Sequence, residues 1–182
     1  MKKLYNTITI KVERLIPVVF LLLVIASCSN SNVTSDFGIT LDAVIKKNDS
    51  IHTYYTTDGS INFNEKNSFW TKVKGDKKNQ TIVINFPSKV VPNQFRLDLG
   101  ANVHQDNIVL NKLECVYKGK IVELKGKEIY KLLRVDESNT ILDKNLGVLK
   151  RMDSTNKNGP SLYPNGDFLR KKLEELTSAK KD

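Results

Sequence analysis

Few side chains in this chain of 182 residues could do chemistry. There are two histidines, His52 and His104, and two cysteines, Cys28 and Cys115, each pair far apart in sequence. His52 sits among strand-forming residues and reads as a packed or edge histidine. His104 falls in a loop and reads as solvated. No His-x-x-x-His, Cys-x-x-Cys, Gly-x-Ser-x-Gly or phosphate-cradling glycine loop is present. Asp98, Asn102 and Asp106 supply oxygens around Gly100, but a calcium site needs such oxygens to converge, and three in a loop are usually only a loop. Cys115, in Leu113-Glu114-Cys115-Val116-Tyr117, shares a face with Leu113 and Tyr117 and reads as a small buried apolar thiol. The expectation is a non-enzyme with no catalytic residue, metal or cofactor. Binding chemistry is better supplied. Tyr54, Tyr55, Trp70 and Tyr117 lie in or beside strands, and aromatic rings stack on the apolar C–H faces of sugars while Arg, Asp and Asn bond the hydroxyls. Trp70 reads first as core and second as such a platform. Arg96 and Asp98 stand two apart on the outward side of one strand, serving either as a surface ion pair or as ligand contacts.

The elements that position these residues begin with an export signal. Lys2, Lys3, Lys11 and Arg14 precede an apolar run from Leu15 to Ile25. Eleven helical residues rise about 16 Å, against about 30 Å for a bilayer core, so the run is too short to span and fits a secretory h-region. Ile25-Ala26-Ser27-Cys28 then resembles the lipobox of bacterial lipoproteins. That resemblance implies a signal peptide over 1–27, cleavage before Cys28 and diacylglyceryl attachment to the Cys28 thiol. Two or more acyl chains, such as palmitate, anchor a protein stably where one does not. Ser29 follows the cysteine and no acid precedes Asp36. By resemblance to known sorting rules, the expected destination is the outer membrane, facing the periplasm. Residues 28–36 are small and polar and read as a flexible tether.

Lys plus Arg number 29 against 20 Asp plus Glu, a net charge of +9. Without residues 1–27 the remainder holds 25 basic and 19 acidic residues, and its lysines are spread rather than interleaved with aromatics. That argues against nucleic acid as a partner and for a solvated lysine-rich surface. Residues 37–47 are open between helix and strand: Leu41, Val44 and Ile45 fit a helical face, while Gly38 and the β-branched residues oppose it. From residue 50 onward, short alternating runs separated by turn residues dominate. They are Ile51 to Thr56, Ser68 to Lys74, Thr81 to Phe86, Phe95 to Leu99, Ile108 to Tyr117 and Ile121 to Leu124. Such spacing predicts a mainly β, antiparallel β-sandwich over 37–126. Residues 127–182 are expected to be a helical C-terminal extension packed on the sandwich, with a short helix over Lys127 to Arg134, a strand over Ile141 to Met152, a loop over Asn156 to Gly166 and an amphipathic helix over Asp167 to Ser178. In the amphipathic helix, Asp167 is the N-cap and Phe168, Leu169, Leu173 and Leu176 form the apolar stripe.

Tyr55-Thr-Thr-Asp58-Gly59, then Phe63-Asn-Glu65-Lys-Asn67-Ser68, and later Ile84-Asn-Phe86-Pro87 with Phe95-Arg96-Leu97-Asp98-Leu99-Gly100, are similar to segments of a β-sandwich accessory domain. That domain accompanies bacterial cell-surface polysaccharide and glycosyltransferase proteins. The resemblance covers roughly residues 50–125. It implies a non-catalytic module of jelly-roll or galactose-binding-like type that recognises glycan. The candidate ligand-binding residues are Tyr55, Asp58, Trp70, Arg96 and Asp98. The expected partners are the membrane, through lipid on Cys28, and envelope carbohydrate. The alternative is an assembly lipoprotein that docks another envelope protein.

Overall fold

In Phe37–Val44 every second side chain is apolar, and Phe37, Ile39, Leu41 and Ala43 are all buried while their neighbours are not. That period of two makes the segment a strand, β1, and settles the choice left open for residues 37–47. The structure is a computed structural model that describes residues 36–153 and 159–178. Cys28 and the segments assigned to signal peptide and tether lie outside the described residues, Asp36 excepted.

The remaining strands are β2 (Asp49–Thr56), β3 (Ser68–Val73), β4 (Gln80–Asn85), β5 (Gln94–Asp98), β6 (Ile108–Tyr117), β7 (Lys120–Lys125), β8 (Leu133–Val135), β9 (Thr140–Asp143), β10 (Val148–Arg151) and β11 (Ser161–Pro164). They form two antiparallel sheets. The first runs β4-β1-β6-β10-β9, with β7 also on β6, and the second runs β3-β2-β5-β11-β8. Between them lies one apolar core, built from Phe37, Ile39 and Leu41 on one side and Ile51, Phe95 and Leu97 on the other. The fold is thus a mainly β, two-sheet sandwich.

Strand β6 shows how the sequence serves both halves of the first sheet. Asp42 pairs with Lys112 but Ala43 pairs with Leu110, so Asn111 has no partner on β1. The extra residue is a β-bulge, which shifts the alternation by one. Ile108 and Leu110 therefore point inward with Leu113 and Cys115, despite their odd separation. Beside the bulge, the Leu110 N–H donates to the Gly147 carbonyl at 3.0 Å. Gly147 has φ of 64°, and a Cβ there would lie 2.9 Å from the Leu110 carbonyl oxygen, so both conformation and space demand glycine.

The expectation of a helical extension over 127–182 is corrected. Four strands arise from it. The hairpin β9–β10 extends the first sheet beside β6, and β11 sits inside the second sheet between β5 and β8. The run Ile141 to Met152 is divided by a turn at residues 144–147 into β9 and β10, β8 begins within the run expected to be helix, and β11, four residues long with Pro160 before it and Pro164 at its end, is too short to display a period and reads as loop. Helices do occur, as the single turn α1 (Ile129–Leu132) and as α2 (Phe168–Thr177). Helix α2 buries Leu169, Leu173 and Leu176 and packs on β5, β6, β7 and β11. Phe168 is not part of that stripe, being 63% exposed. Asp167 occupies the N-cap position without a capping hydrogen bond; its carboxylate instead lies 3.4 Å from Arg170.

Because β11 completes the second sheet, residues 37–126 are not a self-sufficient domain. A chain ending at residue 126 is expected to show no cooperative thermal transition by circular dichroism, and a two-state melt of that fragment would refute the assignment.

Candidate functional site

Alternation along the second sheet sends Ile51, Thr53 and Tyr55 of β2 inward and His52 and Tyr54 outward; on β5 it sends Phe95 and Leu97 inward and Arg96 and Asp98 outward. Strand register then aligns the outward residues in rows. One row runs Trp70, His52, Asp98, Ser161. The next holds Ser68, Tyr54 and Arg96, with Tyr163 beside Arg134 further along.

The rows are tightly coupled. The Trp70 ring stacks on His52 at 3.9 Å with 20° between planes, and His52 lies 4.0 Å from the Tyr54 ring. The Tyr54 hydroxyl donates to Glu65 Oε1 at 2.7 Å. His52 Nε2 and Ser68 Oγ are hydrogen-bonded at 2.9 Å. Arg96 is clamped between two rings, 4.9 Å from the Tyr54 centroid and 4.4 Å from that of Tyr163. Its Nε and Nη2 donate to the two carboxylate oxygens of Asp98 at 2.8 and 2.7 Å, a bidentate pair. Phe63, from the β2–β3 connection, meets Tyr163 edge-on at 6.1 Å. Glu65 belongs to a short 3-10 turn, Glu65–Asn67, whose N-cap Asn64 accepts the Lys66 N–H at 3.1 Å.

Electrostatics follow from burial. Burial pushes the His52 pKa below its ordinary value, although Glu65 and Asp98 pull the other way. Burial pushes the Tyr54 phenol well up, and the carboxylate of Glu65 adds to that. Burial would lower the Arg96 guanidinium, but the hydrogen bonds and charge of Asp98 outweigh it and raise the net value.

The five residues expected to bind ligand fare differently. Trp70 is 52% exposed at the edge of the sheet, on a rigid stack, and so is not core. Arg96 and Asp98 are brought together, yet their side chains are only 17% and 4% exposed and they satisfy one another. They act beneath the surface, holding the aromatics in place, rather than as free groups for hydroxyls. Tyr55 lies on the core side, 5.7 Å from Phe86 and 6.4 Å from Phe69, because the phase of β2 is set by its inward residues Ile51 and Thr53. Asp58 is used in its own turn, accepting the Ser60 N–H at 3.0 Å, which holds its carboxyl below the usual range. The exposed carboxylate of the site is Glu65. In the sequence Glu65 stands out only as part of the segment Phe63-Asn-Glu65-Lys-Asn67-Ser68, since a 3-10 turn has no periodicity to read.

The remaining candidates separate. Asp98 pairs with Arg96, Asp106 lies 3.8 Å from Lys47, and the Asn102 amide donates to the Asn48 carbonyl at 3.0 Å, so their oxygens do not converge. The loop is instead held by Asp49, whose Oδ1 accepts the N–H groups of Ala101 and Asn102 at 2.8 and 2.9 Å. Among the described residues no group of three His, Cys, Asp or Glu could hold a metal ion. His104 is exposed in this loop. Cys115 is buried, and burial alone pushes its thiol up to about 12, which leaves no thiolate at neutral pH.

Comparison with models of protein families, with curated proteins and with solved structures finds no match to this chain.

Two consequences can be measured. Asp98→Asn leaves the guanidinium of Arg96 buried without its countercharge and is expected to cost about 3–5 kcal/mol in urea unfolding. The double change Arg96→Met with Asp98→Leu is expected to recover much of that, and equal losses in both would refute the pairing argument. For His52 the unfolded chain, titrating near 6.5, takes up a proton before the folded one does. Stability is therefore full above that value and falls as pH drops below it. The melting temperature is expected to decline between about pH 7 and 5 in the native protein but to stay flatter in His52→Gln.

Proposed function

We propose that this is an exported, lipid-anchored envelope protein whose second sheet binds carbohydrate without catalysing a reaction. The observation that carries the reading is Trp70. A large aromatic ring that is half exposed, yet held flat by stacking on a buried imidazole, is a platform already in its bound geometry. A ligand stacking on it does not have to order the side chain first, which is where much of the cost of association lies. The apolar C–H face of a pyranose matches such a ring, and the neighbouring Glu65 offers oxygens for its hydroxyls.

The membrane half of the proposal rests on sequence: a basic start, a short apolar run and Ile25-Ala26-Ser27-Cys28 in register. Lipid on Cys28 places the sandwich at a membrane surface, and Ser29 after it favours the outer membrane with the domain in the periplasm. A second reading, docking of another envelope protein, is favoured by one observation. Phe168 stands 63% exposed beside Tyr130 and Leu132, with Lys131, Lys171 and Lys172 around them.

The test is a glycan array and a polysaccharide pull-down with the purified full-length chain and its Trp70→Ala variant. Binding by the native protein, lost in Trp70→Ala while circular dichroism shows the fold intact, is the expected outcome. No binding across a broad array would defeat the carbohydrate reading and favour a crosslinking search for a protein partner.

A further inference from the structure

Glu65 has an unusual combination of properties. Its side chain is 78% exposed, yet it is fixed from below. The Tyr54 hydroxyl holds Oε1 at 2.7 Å, and Ser68 Oγ lies 3.4 Å from Oε2. The Ser68 hydroxyl also reaches the Glu65 carbonyl at 3.0 Å, which ties the backbone of the turn to β3. Tyr54 is itself buried and packed between His52 and Arg96. A surface carboxylate ordinarily sweeps through many rotamers, and ordering it on binding costs free energy. Here that cost is met in folding.

The position of this carboxylate matters as much as its rigidity. Glu65 Oε2 lies 3.6 Å from His52 Nε2, and the His52 ring lies 3.9 Å from Trp70. One imidazole ring therefore separates the aromatic platform from the carboxylate. A carboxylate offers about four acceptor sites. Tyr54 takes one on Oε1, and the single Ser68 proton goes chiefly to the nearer Glu65 carbonyl, so each carboxylate oxygen keeps at least one site for solvent or ligand. Two acceptor sites on a planar group match two hydroxyl donors on adjacent carbons of a sugar ring.

Charge narrows the ligand further. The nearest buried cation, Arg96, is neutralised by Asp98 through two hydrogen bonds. His52 is held neutral by burial. Lys66 and Lys72 are solvated ammonium groups on long stems, which contribute little to fixed recognition. The fixed charge beside Trp70 is thus negative, and a carboxylate or sulfate on the ligand would meet it unpaired.

We infer that the Trp70 end of the second sheet selects neutral saccharides, with a pyranose ring on Trp70 and two of its vicinal hydroxyls donating to Glu65. This rests on the carbohydrate reading proposed above and specifies its ligand class.

The experiment titrates the purified full-length chain calorimetrically with a set of neutral oligosaccharides and with oligouronates of similar length. It uses the native protein, Trp70→Ala and Glu65→Gln. The glutamine keeps an acceptor for the Tyr54 hydroxyl, so the turn is retained, and circular dichroism checks this. Neutral sugars are expected to bind, Trp70→Ala to abolish binding, and Glu65→Gln to weaken it roughly tenfold or more. Uronates are expected to bind at least roughly tenfold more weakly than neutral sugars, and to improve in Glu65→Gln. If sugars bind through Trp70 but uronates match or exceed neutral ones, or Glu65→Gln changes nothing, the selectivity inference is overturned while the carbohydrate face stands. If neither class binds the folded native protein, the carbohydrate reading itself fails.

Discussion

The outer face of the second sheet depends on one ion pair. Arg96 and Asp98 point away from the core, yet their side chains are 17% and 4% exposed. Charges so far out of water persist only when each satisfies the other, and their bidentate geometry does this. Once the guanidinium is fixed by Asp98, the rings on either side have a surface to pack on, with Tyr54 on one flank and Tyr163 on the other. Tyr54 then carries Glu65 and supports His52, and His52 supports Trp70. The order of dependence runs from a buried charge pair outward to an exposed indole.

This dependence explains why the C-terminal strands cannot be separated from the site. Tyr163 belongs to β11, which joins β5 by main-chain pairing at Ser161–Asp98 and Leu162–Leu97. Without β11 the Arg96 guanidinium would lose one of its two aromatic walls and face water on that side. Residues 159–178 therefore complete the aromatic cluster around Arg96 as well as the core. The outer face of the first sheet offers a contrast. There Lys112 bridges Asp42 and Glu114 at 3.1 and 2.9 Å, all three half-buried, and Lys125 pairs with Glu123 in the open. The exposed Lys125–Glu123 pair contributes little by itself. One face carries paired charges, and the other holds rings in fixed positions.

Much of this was legible in the sequence, and the limits have physical causes. In β5 the apolar residues fall at every second position, and in β4 Ile82 and Ile84 do so around the exposed Val83, so Ile82, Ile84, Phe95 and Leu97 announce both the strands and their inward faces. The outward direction of Arg96 and Asp98 follows from the same count. Their burial does not, because it is imposed by Tyr54, Tyr163 and Phe63 from three other segments. The Tyr54-Tyr55 doublet is ambiguous in isolation, since one ring must face in and the other out. Neighbouring Ile51 and Thr53 decide that Tyr54 faces the site. Strand β11 escaped because Leu162 alone faces the core between two prolines, and Glu65 escaped because a 3-10 turn carries no alternating pattern.

The location of Trp70 has its own logic. Strand β3 is an edge of the second sheet, where burial is least complete and main-chain groups lie open to unwanted pairing. An exposed indole there would ordinarily be a liability for aggregation. Two features limit it. Lys72 and Lys74, on and just past β3, place charge along the same edge, a common protection against edge-to-edge association. The stack on His52 also covers one face of the ring, leaving a single flat surface rather than a protruding hydrophobe. A fold that merely needed to fill space at this edge would gain more from a smaller polar residue. A half-exposed tryptophan, stacked on His52 and close to the fixed carboxylate of Glu65, is the feature on which the proposed ring-bearing ligand rests.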